Sequence, residues 1–120
     1  MSKAYYGRCM AIYGTPQESR DIELIRRLGY RVVEFPSQSE TNVRKQKGEN
    51  VMETVFKPLV VSSDIMFFRG LPTGEIPAGV GKEIEWAKEA GLDVLEIPSR
   101  TEARTISIQA TREYLREVMR

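Results

Sequence analysis

The sequence predicts a three-layer α/β domain: a parallel sheet of four or five strands with helices on both faces. Three observations predict it. Short apolar runs at residues 3–7, 31–35, 64–70 and 93–97 are separated by helical patterns of about 10 to 14 residues, the rhythm of βαβ units. The run DIMFFRG (64–70) is apolar almost throughout, as a central strand covered on both faces must be. The chain has 120 residues, 41% hydrophobic and 29% charged, enough for one core and too few for two ordinary ones. Residues 1–120 are therefore expected to form a single domain, a Rossmann/flavodoxin-like sandwich.

The elements follow in order. KAYYG (3–7) is the first strand, followed by a loop punctuated by glycine. TPQE (15–18) has the pattern of a capping box: Thr15 accepts from the amide of Glu18, the Glu18 side chain reaches back, and Pro16 takes the first helical position. The helix so opened points Ile22, Ile25 and Leu28 inward and stops at Gly29. RVVEF (31–35) is the second strand, closed by Pro36. Residues 37–50 are polar and hold Arg44, Lys45 and Lys47. They read as a solvated loop or weak helix start, or as a mobile cover over a site that attracts anions. A helix over 50–62 is bent or split by Pro58. After the strand at 64–70 come the helix containing Glu83 and the strand DVLEI (93–97). A short strand or extended piece from residue 104 leads into an amphipathic helix with Ser107 as its N-cap. That helix carries Tyr114, Leu115 and Val118 on one side, which predicts a homodimer or larger closed oligomer.

Composition narrows the chemistry. A formal net charge of +1 gives no field that favours nucleic acid or an anionic membrane as partner. Cys9 is the only cysteine and histidine is absent, which excludes an intramolecular disulfide, the common zinc sites and a histidine general base. No cofactor or metal is called for. No run approaches ~18 apolar residues and the N-terminus lacks an apolar signal core, so a soluble cytoplasmic protein is expected.

In parallel α/β sheets ligands bind beyond the carboxyl ends of the strands. That rule selects residues 7–16, 36–50 and 69–83, and with them Gly7, Arg8 and Arg69. The two arginines read either as solvent-facing or paired with Glu75, or as clamps that grip a phosphate by forked hydrogen bonds. Gly79 and Gly81 flank a helix start and let a ligand approach the backbone amides. Glu83 is the anomaly. At about 100° per residue, it falls inside the arc of Val80, Ile84, Ala87 and Ala90 that faces the core. A first-turn acid can simply offset the helix dipole, by ~0.3–1 kcal/mol, but it can do so facing water. Trp86 and Cys9 read as packing, and Tyr13 as a surface tyrosine or a platform for a base.

The segment Gly79, Gly81, Glu83, Ala87, followed by AGLDVLEI (90–97), resembles the G-x-G-x-E-x-x-x-A motif of the nucleoside 2-deoxyribosyltransferase superfamily, which includes the 2′-deoxynucleoside 5′-phosphate N-hydrolases. AYYG (4–7) is similar to the family's first strand, with Tyr5 matching a tyrosine that positions the catalytic glutamate. SDIM (63–66) matches the start of its central strand. The resemblance implies cleavage or transfer at the N-glycosidic bond of a nucleoside or nucleotide. Glu83 would attack C1′, and Tyr5 would donate a hydrogen bond to it. The family's leaving-group acid falls at Phe56, so Glu53, one helical turn earlier, is the candidate substitute. The Asp or Ser six residues before the glutamate is Pro77 here. IPAGVGKEIE (76–85) is also similar, less closely, to the glycine-rich segment of the phosphoribohydrolases of the "lysine decarboxylase-like" group. Asp64 belongs at the amino end of its strand and reads as structural. Two rival readings stand beside an enzyme: a nucleotide-binding or sensing module without turnover, and a structural oligomer with Glu83 paired across its interface.

Overall fold

The computed structural model describes residues 1–97 and 107–119. Among them four parallel strands, β1 (Lys3–Gly7), β2 (Arg31–Val32), β3 (Ile65–Phe68) and β4 (Asp93–Glu96), form one sheet in the order β2-β1-β3-β4. The helices are α1 (Pro16–Arg27), α2 (Gln38–Gln46), α3 (Lys57–Val61), α4 (Ala78–Glu89) and α5 (Ile108–Val118). The chain runs from β1 to β2 on one side, then crosses back to place β3 on the other side of β1. The strand order therefore reverses between β1 and β3, which creates a crevice at their carboxyl ends. This is the Rossmann/flavodoxin-like sandwich expected from the sequence.

Alternation along the strands builds the two halves of the core. Tyr5, Met66 and Phe68 pack on one face with Val60 of α3 and Val80, Trp86 and Ala87 of α4. Ala4, Tyr6, Ile65 and Phe67 pack on the other with Ile25 of α1. All four residues of β3 are buried, as a central strand requires. Asp64 sits at its amino end and accepts a hydrogen bond from the Lys3 amide at 2.7 Å, a structural role.

Local departures from expectation have local causes. The capping box is half made: the Thr15 hydroxyl accepts from the Glu18 amide. The Glu18 carboxylate instead takes the Gly14 amide and the Arg8 guanidinium. Leu28, expected inward, is exposed at the helix end. Pairing in β2 is shorter than 31–35, because after the Val33 amide bonds Ala4 the chain turns away from the sheet. Pro58 has no amide to offer the preceding turn. There the helix widens into a π-helical turn (Met52–Phe56), and the Lys57 amide reaches back to the Met52 carbonyl. The extended piece expected at 104–106 lies outside the described residues.

α5 starts as expected, with the Ser107 hydroxyl accepting from the Ala110 amide. It buries no residue, and Ile108, Tyr114, Leu115, Val118 and Met119 are exposed. A helix of 11 residues with an apolar stripe and no core to cover is marginal alone in water. We expect a second copy of the chain to cover it. Light scattering at micromolar concentration checks this, and a mass of 13.7 kDa, that of one chain, would contradict it. Among the described residues no helix is long and apolar enough to cross a membrane.

Candidate functional site

A cavity of about 270 Å³ opens at the carboxyl ends of β1 and β3, where the strand order reverses. Each wall comes from a different stretch of chain. Arg8, Cys9, Met10 and Tyr13 follow β1; Phe35 and Pro36 follow β2. Gln38, Thr41 and Lys45 form one face of α2, spaced at helical intervals. Val51, Met52 and Phe56 come from the π-helical turn and its approach, and Pro77, Gly79 and Val80 from the start of α4. The polar segment 37–50 is therefore a helix over the cavity. The lining contains two cations and no acid.

Arg8 is held firmly at this wall. Its guanidinium pairs with Glu18 at 2.9 Å, donates to the Tyr6 carbonyl at 3.1 Å, and stacks over Phe35 at 4.1 Å and Tyr13 at 4.5 Å. Tyr13 is thus a partner of Arg8 as well as a lining residue. Phe35 in turn meets Tyr5 edge-on, with ring centroids 5.3 Å apart. Gly79 is exposed in the lining, where a side chain would narrow the mouth.

Six residues expected at the site do not line the cavity: Arg69, Glu53, Gly7, Gly81, Tyr5 and Glu83. Arg69 lies on the α1 face of the sheet, because it alternates with Phe68 and follows Phe67 in orientation. Its guanidinium forks onto Asp21 of α1, with Nη2 to Oδ1 at 2.7 Å, in place of Glu75 or a phosphate. Glu53 is exposed, 3.8 Å from Lys57, and does not line the cavity. Gly7 is buried, and a Cβ there would stand 2.7 Å from Met66 Cε and 3.5 Å from Val80 Cγ1. Its role is to let α4 pack close to β1. Gly81 is off the cavity, near Ile76.

Glu83 is 8% exposed, on the same side of α4 as Val80 and Ala87 and one turn beyond the lining residues Gly79 and Val80. Tyr5 packs in the same cluster as Val80 and Ala87. The expected bond from Tyr5 to Glu83 is not made. Neither side chain hydrogen-bonds to another described residue, and no described cation faces the carboxyl. Among the described residues no fully buried side-chain polar atom lacks a partner, so the carboxyl still touches accessible surface. Burial alone pushes Glu83 from its usual 4.5 up to about 8.

This shift fixes a pH dependence of stability. The folded chain keeps the Glu83 proton where the unfolded chain has released it. The contribution is therefore fully present below about 4.5 and is lost as pH rises through about 8. At ~1.4 kcal/mol per pKa unit the loss is several kcal/mol. Glu83→Gln should match wild type near pH 5 and be the more stable protein at pH 8.5. Denaturant unfolding at both pH values checks this; a constant difference between the two proteins would contradict it.

The strand order and the layers of helix on both faces of the sheet define a protein of the parallel α/β type. Among solved structures the chain is similar to the CMP N-glycosidase BcmB of Clostridium botulinum. The TM-score is 0.53 and the identity 15%, over 92% of this chain and 80% of that one. At that identity the likeness is one of fold. No protein-family model and no curated protein matches the sequence.

Proposed function

We propose that the chain cleaves, or transfers at, the N-glycosidic bond of a (deoxy)nucleoside or nucleotide, with Glu83 as nucleophile. The observation that carries this reading is the Glu83 carboxyl, without a partner among the described residues and nearly buried, one turn from the cavity wall. A carboxyl left without hydrogen bonds in an apolar setting costs stability, and a reacting centre is a reason to keep one. The similar protein named above is itself an N-glycosidase acting on CMP.

In the proposed reaction a Glu83 oxygen bonds to C1′ while the C1′–N bond breaks, and its electron pair leaves with the base. Water, or a second base, then attacks C1′ and releases Glu83. The attacking form is the carboxylate. With the pKa near 8, only about a tenth of the free protein carries it at pH 7. The apolar surroundings that suppress ionisation also strengthen the carboxylate's attraction for an oxocarbenium-like C1′ once it forms. Tyr5, pinned by Phe35, is proposed to shape the pocket beside it.

The test is incubation with a panel of nucleosides and 5′-monophosphates at pH 6 to 9, with chromatography for free base. We expect base release that rises with pH toward 8. The second reading, a binding module without turnover, is favoured by one observation: Phe56 lines the cavity at the position where the resembling family carries its leaving-group acid. Binding without any base release across that panel would select it.

A further inference from the structure

We propose that Lys45 makes this cavity select a phosphorylated ligand, a nucleoside 5′-monophosphate over the matching nucleoside; the inference rests on the nucleoside reading above. The whole chain carries only +1, so the excess of cations in the lining is a local feature. Arg8 adds little to it, because Glu18 neutralises its guanidinium and three rings surround it. The other cations near the end of α2 are also accounted for. Arg44 forks onto Glu49, with Nη2 to Oε1 at 2.7 Å, and Lys47 closes the helix away from the lining. The Lys45 ammonium has no ion pair or hydrogen bond with any described residue, and Lys45 shares the cavity face of α2 with Gln38 and Thr41.

A cation in the last turn of a helix also offsets the helix dipole. That accounts for Arg44 and Lys45 alike, but not for a lysine directed at a cavity without acids. Pro77 has no hydroxyl or amide to give a phosphate, and the remaining wall is largely apolar and aromatic. The lining thus divides its work. Tyr13, Phe35 and Phe56 suit a base and sugar, and Lys45 at the edge suits a charge that stays in contact with water. A compact ammonium on a flexible stem can follow a monoester dianion without the fixed geometry a guanidinium needs.

The experiment is calorimetric titration of wild type, Lys45→Gln and Lys47→Gln with a nucleoside, its 5′-monophosphate and inorganic phosphate. Lys47→Gln removes the same charge from the same helix end but not from the lining. Wild type should prefer the monophosphate. Lys45→Gln should weaken monophosphate binding about 10- to 100-fold, the range for a hydrogen bond to a charged group, and leave the nucleoside unchanged. Lys47→Gln should bind as wild type does. Equal losses in both variants, parallel loss of nucleoside binding, or a wild type that favours the nucleoside or binds neither would overturn the inference. Inorganic phosphate binding as tightly as the monophosphate would reduce the site to a plain phosphate site and overturn the nucleotide assignment. Lys45-dependent monophosphate binding without base release would overturn the glycosidic reading and leave this one standing.

Discussion

Glu83→Gln is expected to slow base release by at least about 100-fold while the variant still folds and still binds nucleotide. The amide keeps the shape of the carboxyl and cannot form the ester at C1′. Two alternatives give other results. A carboxylate paired with a buried cation would cost about 3–5 kcal/mol of stability on substitution, by stranding that cation. No described cation faces Glu83, so we expect no such loss. An ordinary first-turn acid would change neither rate nor melting behaviour. The rate of wild type should also rise with pH, because it is the ionised form that attacks, whereas a Glu83 acting as proton donor would give a falling profile. Steady-state rates at pH 6 to 9 separate these outcomes.

Asp21→Ala is expected to destabilise the protein by about 3–5 kcal/mol, the largest single loss away from the cavity. Asp21 is 2% exposed and Arg69 7%, and they are joined by a forked pair between α1 and the end of β3. Tyr6 also donates its hydroxyl to Asp21. Burial, reinforced by that bond, holds the Tyr6 phenol far above its usual range, so it remains a donor throughout the working pH. Removing the carboxylate leaves a guanidinium and a phenol without their acceptor in a low-dielectric interior. Replacing both ends, Asp21→Leu with Arg69→Met, should recover much of the loss, because no charge is then stranded. Thermal and denaturant unfolding of the single and double variants checks this; a double variant as unstable as Asp21→Ala would contradict it.

The strands and α4 were readable because their signals are local: apolar runs, a proline, a glycine pair, a cap. Glu83 was readable because its place on the helix conflicts with its chemistry. The same test would have found Asp21, which falls between Ile25 and Leu28 on the apolar side of α1. Arg69 was placed at the correct end of its strand, but its pairing with Asp21 was not read, although alternation with Phe67 and Phe68 puts it on the α1 side. The partners of Arg8 were not legible. Its aromatic cage joins residues 6, 13 and 35, and only the β1–β2 pairing and the loop after β1 bring them together. Nor could the sequence show that Phe56 and Pro77 line one cavity with Lys45, since these come from three separate elements. The Tyr5–Glu83 bond was inferred from family resemblance; here Tyr5 is held by Phe35.

The nucleophile proposed here is Glu83, bonding through a carboxylate oxygen to C1′. That role is tested most directly by acid-quenching the protein during turnover of a nucleoside 5′-monophosphate and measuring the mass of its peptides. A glycosyl adduct is expected on the peptide containing Glu83 and not on that of Glu83→Gln. An adduct on a different residue, or base release by Glu83→Gln at the wild-type rate, would contradict it.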